Sequence, residues 1–283
     1  ANCGEENQLR IFLTRDYTDV SRGFKEDTLR YLGRTSRFGA IPVHRRPLGF
    51  TASVSLKSYP KPSYISDVFA IPSWREKKIS FQLETKAKQA MKDTVYRATI
   101  LDAEGKKALS FESKPVKVDA GVSTTTIESP WRNPQTWELD RGYLYTAQIE
   151  IVQDGKVIDR HPPVTFGFRE VWTEGNKLML NGHPIRLRLS LNCGISADSL
   201  PFFRMLGFNA TYQQNHPSAW WRNWGSSVVR LNRETLEACD RNGFAFSAPG
   251  PNIYHIREKL IDAPEVAAAY EREMAWHIRQ YRN

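Results

Sequence analysis

The sequence predicts a multi-domain β plus α/β chain, in which an immunoglobulin-like β-sandwich is followed by strands that alternate with helices. Three observations predict it. Between residues 63 and 169, about seven short β-type runs recur with turn signals between them and no helical pattern. Residues 164–190, VTFGFREVWTEGNKLMLNGHPIRLRLS, close a strand and enter a hairpin whose tip, Leu180-Asn181-Gly182-His183, centres on Asn-Gly. That pair tolerates the positive φ angles of a tight type I′ turn. From residue 185 onward the apolar period switches repeatedly between two and 3.6.

Taken in order, residues 1–58 offer two strand candidates, Leu9–Leu13 and Gly49–Leu56, separated by a long polar stretch rich in Arg and Gly. Two strands cannot bury a face alone, so this segment needs partners. Tyr59-Pro60-Lys61-Pro62 reads as an extended linker. The β runs that follow are Ile65–Ala70, Ile79–Thr85, Val95–Leu101, Ala108–Phe111, Val116–Val118, Ser123–Ile127, Tyr143–Val152 and Val164–Phe168, with turns at Ala103-Glu104-Gly105 and Asp154-Gly155. Trp131, Trp137 and Tyr145 are expected in core and interdomain packing. Ile185–Leu191 then alternates as a strand, and Ala197–Leu206 reads as a helix with Ser196 at its N-cap. Gly207–Tyr212 turns into a second strand. Leu231–Asn242 is a helix stopped by Gly243, and Phe244–Ser247 is a third strand. Ala263–Arg282 reads as a long helix, with Pro264 in its first turn and an apolar stripe of Val266, Ala269, Tyr270, Met274 and Ile278.

Composition narrows the function classes. Forty Lys and Arg against 31 Asp and Glu give a net charge of +9, but the charge is dispersed rather than gathered into a stripe, so no nucleic-acid partner is expected. No apolar run is long enough to span a bilayer, and no membrane partner is expected. The three cysteines, Cys3, Cys193 and Cys239, lack metal-ligand spacing and are expected as free, mostly buried thiols. No strand is followed by a glycine-rich phosphate fingerprint, which argues against a dinucleotide or nucleotide cofactor. No cofactor and no metal are expected, and the polar opening Ala1–Glu5 carries no signal peptide.

Several motifs together resemble glycoside hydrolase family 2, the β-galactosidase, β-glucuronidase and β-mannosidase group. They are Phe166-Gly167-Phe168-Arg169 at a strand end, Leu180-Asn181-Gly182-His183-Pro184 at the hairpin tip, Leu206-Gly207-Phe208-Asn209-Ala210, and Glu237-Ala238-Cys239-Asp240-Arg241-Asn242-Gly243. Pro130-Trp131, Trp137 and Leu144-Tyr145 resemble the segment before that family's last sandwich strands, with Gly142-Tyr143 where a Pro is usual. Gly49, Phe50, Val54 and Leu56 resemble the final strand of its jelly-roll domain. The resemblance implies a division into the C-terminal part of a jelly-roll (1–58), the immunoglobulin-like sandwich (63–169) and the first βα units of a partial (β/α)8, or TIM, barrel (170–283). It implies a fragment of a retaining β-glycosidase, β-galactosidase-like as the first choice, acting on a carbohydrate substrate.

Retaining hydrolysis needs two carboxyl groups about 5–5.5 Å apart. The resemblance places the acid/base Glu and the nucleophile Glu on strands after residue 283. No catalytic residue is therefore expected in this chain, and the segment is expected to be inactive alone. Glu234, Glu237, Glu265, Glu271 and Glu273 all fall on predicted helices, away from the strand ends where barrel chemistry sits. Substrate-binding candidates come from the segments after each predicted parallel strand: Asn192 after the first; Gln213, Asn215, His216, Trp220 and Trp221 after the second; Asn252 after the third. Aromatic rings cover the apolar C–H faces of sugars, while amides and imidazoles bond their hydroxyls. Tyr212 stands where the family carries Arg, and Ser247-Ala248-Pro249 stand where many members have acids, which implies a remodelled sugar pocket. The alternative expectation is a non-catalytic carbohydrate-binding or scaffold protein on the same sandwich. A periplasmic or secreted location is favoured over the cytoplasm, and the oligomeric state is left open.

Overall fold

The computed structural model describes residues 61–191, 196–212 and 233–247, with the single positions Pro264, Ala267, Ala268, Glu271, Ala275 and Arg279. Contacts divide the chain into two compact units. One comprises residues 1–57, 215–230 and 249–277; its described positions, Pro264, Ala267, Ala268, Glu271 and Ala275, have helical backbone. The other, residues 58–214, 231–248 and 278–283, carries the architecture below. The expected strands within 1–58 and the stripe Val266, Ala269, Tyr270, Met274 and Ile278 lie outside the described residues.

The second unit opens with nine strands: β1 (Ser63–Ser73), β2 (Lys78–Ala87), β3 (Met91–Leu101), β4 (Lys107–Glu112), β5 (Val116–Val118), β6 (Gly121–Pro130), β7 (Leu144–Gln153), β8 (Lys156–Arg160) and β9 (Val164–Gly167). They form two antiparallel sheets, one ordered β1-β2-β6 and the other β4-β3-β7-β8, with β5 added to β3 and β9 to β7. The period-two pattern dictates how the sheets face each other. Ile79, Phe81, Leu83 and Thr85 of β2 and Thr94, Tyr96, Ala98 and Ile100 of β3 all turn inward and are buried. Phe81 is fully enclosed, meeting Phe166 edge-on and Phe111 in a stacked pair. One buried polar pair is satisfied across the sandwich, Thr85 Oγ1 and the Tyr96 hydroxyl lying 2.7 Å apart, whereas the buried Thr94 Oγ1 has no hydrogen-bond partner among the described residues. Tyr145, near the start of β7, accepts a hydrogen bond of 2.7 Å from the Gln135 amide through its hydroxyl. Burial pushes that phenol up to about 12, so the bond is made by the neutral form. Trp131 packs edge-on to Tyr145 and Phe168.

The strand expectations hold, most with wider bounds, though Val116–Val118 is unchanged, Tyr143–Val152 shifts to Leu144–Gln153 and Val164–Phe168 ends one residue earlier; one strand was missed. Lys156–Arg160 is half-exposed and has no apolar alternation; it is a strand because β7 offers it an edge, pairing Val152 with Val157 and Glu150 with Arg160.

Beyond the sandwich, β10 (Val171–Glu174), β11 (Lys177–Leu180) and β12 (His183–Ile185) make a small meander. The Asn-Gly turn sits as expected, with Leu180 paired to His183 and φ of 47° at Asn181 and 86° at Gly182. Three parallel strands follow, β13 (Leu189–Leu191), β14 (Ala210–Tyr212) and β15 (Ala245–Ser247), with helices α1 (Leu200–Met205) and α2 (Arg233–Arg241). The expected single strand Ile185–Leu191 is corrected: Ile185 pairs antiparallel with Leu178, while Leu189 pairs parallel with Ala210, and Arg186–Arg188 bridges the two sheets. The helix expected over 197–206 is also shorter. Its regular part starts at Leu200 with Ser199, not Ser196, at the N-cap, and the Ser196 and Ser199 amides each donate to the other's hydroxyl at 2.9 and 3.2 Å in the turn before it. Gly243, at φ 62°, ends α2 as expected. A small core of Leu200, Ala238, Cys239 and Phe244 joins the helices to the sheet. Burial, with the nearby Asp240 charge, pushes the free Cys239 thiol up to about 12.

Tyr145→Phe removes the only described partner of the Gln135 amide. It should lower stability by about 1–3 kcal/mol, read in urea titrations as a lower midpoint with an unchanged slope.

Candidate functional site

In parallel sheets, ligands meet the carboxyl ends of the strands. Here those ends are flush. Leu189, Ala210 and Ala245 share one row of the register, and Leu191, Tyr212 and Ser247 share the last row. The order β13-β14-β15 places three segment origins side by side, because Asn192, Gln213 and Ala248 each follow directly in sequence. The expected substrate residues Asn192, Gln213, Asn215, His216, Trp220, Trp221 and Asn252 lie outside the described residues. The structure therefore brings together the strand ends from which they continue. Among the described residues, no group of His, Cys, Asp or Glu could hold a metal ion.

What holds those ends in place is a buried amide. Asn209, 2% exposed, donates from Nδ2 to the Arg186 carbonyl at 3.0 Å and accepts at Oδ1 from the Arg188 amide at 2.7 Å. Its own amide donates to the Arg188 carbonyl, and its carbonyl accepts from the Ala245 amide. One residue thus ties the entry of β13 to the starts of β14 and β15. At the opposite end from the carboxyl ends of the strands, Arg204 donates to Asn242 Oδ1 and the Asp140 carbonyl at 2.9 and 3.0 Å. Arg188 Nε donates to the Gly207 carbonyl. Cations at helix C-termini complement the partial negative charge there.

The parallel sheet is in turn seated on the sandwich. The Trp137 indole donates to the Asp240 carbonyl at 2.7 Å, and Arg169 reaches the Asp240 carboxylate at 2.7 Å while its guanidinium lies 4.7 Å over the Trp137 ring. Asn181, 1% exposed, donates to the Trp137 carbonyl and the Glu138 carboxylate and accepts from the Glu170 amide.

Comparison with known proteins adds the decisive observation: residues 63–169 match the family described as Glycosyl hydrolases family 2. Over those residues the chain is similar to a family 2 glycosyl hydrolase domain. Among curated proteins it is similar to a "Putative beta-glucuronidase" from Formosa agariphila, 28% identical over 118 residues, covering 41% of this chain and 11% of that protein. Among solved structures, a glycosyl hydrolase family 2 member from Bacteroides cellulosilyticus superposes with a TM-score of 0.57 at 19% identity, over 78% of this chain and 30% of that one. A β-glucuronidase from Ruminococcus gnavus superposes with a TM-score of 0.52 at 18% identity, over 78% of this chain and 35% of that one. At such identities the likeness is one of fold. The chain spans about a tenth of the curated relative and about a third of the solved structures.

The sandwich reaches the meander through its β1–β2 turn. Glu170 receives Arg75 through Nε at 2.7 Å and through its backbone amide at 3.0 Å, and Ser73 Oγ at 3.1 Å. In the same turn, Trp74 stacks at 6.1 Å on Trp172 of β10, under the Lys77 ammonium 3.5 Å from its ring centre. A Cβ at Gly182 would overlap the Trp74 ring, so both the positive φ and the close approach call for glycine. The expectation that Trp131, Trp137 and Tyr145 serve in packing is met, with exposures of 8%, 4% and 3%. Sequence reasoning missed Glu170, Arg169, Asn181 as a donor, and Asn209. Arg75 and Glu170 are 95 residues apart, and no local pattern announces their pairing.

Burial raises the Glu170 carboxyl, but the Arg75 amide, the Arg75 guanidinium and the Ser73 hydroxyl outweigh it, and the group sits below its ordinary 4.5. A depressed carboxyl contributes stability above its unfolded value and loses it as pH falls through the folded one. Glu170→Gln should therefore lower the melting temperature at neutral pH and flatten its decline below pH 4.5. Trp137→Phe keeps the ring and removes the indole donor. Amide exchange in α2 should accelerate at least several-fold while β2, β3 and β7 keep their protection.

Proposed function

We propose that the chain is part of a retaining glycosidase that hydrolyses β-linked glycosides. In this reading residues 63–169 are an immunoglobulin-like sandwich, residues 170–283 supply the first βα units of a TIM barrel, and residues 1–58 are the end of a jelly-roll domain. The observation that carries it is the match of residues 63–169 to family 2, joined through the Asn-Gly meander to parallel strands with flush carboxyl ends. The substrate face is then formed by Asn192, Gln213, Asn215, His216, Trp220, Trp221 and Asn252. Trp220 and Trp221 serve as a platform for a pyranose ring, and the amides bond its hydroxyls.

The name of the curated relative makes β-glucuronides the first substrates to test, ahead of the β-galactosides that the motifs alone favour.

The chain by itself should not turn substrate over. Retaining chemistry needs a free carboxylate pair about 5–5.5 Å apart at the substrate face. Among the described residues of the α/β part, two of the three carboxylates of α2 are held in ion pairs. Asp240 is ion-paired to Arg169, and Glu237 lies 3.7 Å from Arg241.

Incubation with nitrophenyl β-D-glucuronide and nitrophenyl β-D-galactoside should release no nitrophenol above background; sustained release blocked by a sugar lactone would contradict the reading. In calorimetric titration with the corresponding lactones, Trp220→Ala and Trp221→Ala should each weaken any binding at least tenfold. Unchanged affinity would remove the platform.

A further inference from the structure

The geometry points to an interaction surface at an edge of the sandwich: the outer edge of β6 pairs antiparallel with the same edge of a second copy of this chain, centred on Thr125.

β6 runs ten residues and pairs with β2 without a register shift from Lys78–Pro130 to Ala87–Gly121. It ends the order β1-β2-β6, and among the described residues no strand pairs with its other side. Proteins ordinarily blunt such edges with bulges, short length, prolines or lysines. The sandwich does so elsewhere. β1 has a shift between Ile65 and Asp67. β4 is six residues long, begins with Lys107 and has a shift opposite it. β8 is five residues long, carries Lys156, Asp159 and Arg160, and has a shift beside it. β6 has none of these devices within its span; its only charge is Glu128 and its only proline is the terminal Pro130.

The residues of β6 also say which partner fits. Its outward row, Val122, Thr124, Thr126 and Glu128, is exposed, Val122 at 63%. Antiparallel pairing about Thr125 sets Thr124 opposite Thr126 of the second copy, a favourable cross-strand pair, and Val122 opposite Glu128. Val122 sits beside Lys86 of β2. Glu128 of the second copy therefore arrives two strand spacings, about 10 Å of backbone, from Lys86, within reach of both side chains. By symmetry the row is repeated on the other side. Glu128 is already held by its own Lys78 at 3.0 Å, so each carboxylate would lie between two ammonium groups. Centring the pair on Thr126 would instead put Glu128 opposite Thr124, beside Glu84. Charge thus selects Thr125 as the centre, and the two sheets join as one six-stranded sheet with a twofold axis.

The test is sedimentation equilibrium on the full chain over rising concentration. The average mass should climb from 32.5 kDa toward twice that value. The double variant T124K/T126K places lysines opposite lysines and should stay at the single mass. T124K/T126E places Lys opposite Glu and should recover the doubled mass. Both positions are exposed, so circular dichroism melts of the variants should overlay the parent. Amide exchange on the unmodified chain gives a second readout: Val122–Glu128 should slow as concentration rises, while β4 and β8 stay constant. A single mass at every concentration, a T124K/T126K dimer, or folded T124K/T126E that stays single overturns the proposal. So does concentration-independent exchange in β6.

Discussion

Two glycines set the position of α2 on the sandwich. The Asp140 amide donates to the Gly243 carbonyl at 2.7 Å, and the two backbones run so close that a side chain on either glycine has no room. A Cβ at Gly142 would overlap the Asp240 carbonyl; one at Gly243 would overlap the Glu138 carbonyl and the Arg141 amide. Gly243 is constrained twice, since its φ of 62° also belongs to the left-handed region. Only with the backbones in this contact can the Trp137 indole reach the Asp240 carbonyl and Arg169 the Asp240 carboxylate. The glycine at 142, where a proline is usual in the resemblance to family 2, thus has a local cause: this chain brings α2 against that position.

The contact propagates. It fixes the C-terminus of α2, and Phe244 and Ala245 follow directly into β15, whose first amide donates to the Asn209 carbonyl. Asn209 holds the approach to β13 on its other side. A shift of α2 on the sandwich would therefore move all three strand ends together. Both helices that back the sheet also end on the same side, where Arg188, Arg204 and Asp140 gather. The sandwich is then a base that sets the orientation of the parallel sheet, rather than a separate bead on a linker.

Most of the sandwich was legible in the sequence, because its strands bury one face and the period-two pattern records that burial directly. Phe81 and Tyr96 sit in rows that announce themselves. Lys156–Arg160 did not, since its strand character comes from an edge supplied by β7 and leaves no mark in its own residues. Residues 185–191 misled for a related reason. The alternation continues unbroken through Ile185 and Leu189, but the partner strand changes between them. What forces the change is a side chain more than twenty positions later, Asn209, whose amide occupies the Arg186 carbonyl and the Arg188 N–H. The parallel strands that lead to the candidate segments were legible, and the structure supplies the flush ends from which those segments continue. The residues that position it were not, because Glu170 with Arg75, and Trp137 with Asp240, are pairings between distant segments.

Two buried asparagines carry the same logic at the two changes of direction. Asn181 sits at the tip of the meander and Asn209 at the entry to β14, each at most 2% exposed and each with both amide groups bonded. Apolar packing alone would leave these corners free to slide, because it depends on area and little on direction. A buried amide does not slide: moving it strands donors and acceptors on both sides, at about 1–3 kcal/mol for each group left unpaired. Asn181 is further confined by its left-handed backbone and by the Trp74 ring against Gly182. Directional polar contacts at the corners, with apolar cores between them, explain how a sandwich and a parallel sheet with separate cores keep one relative geometry.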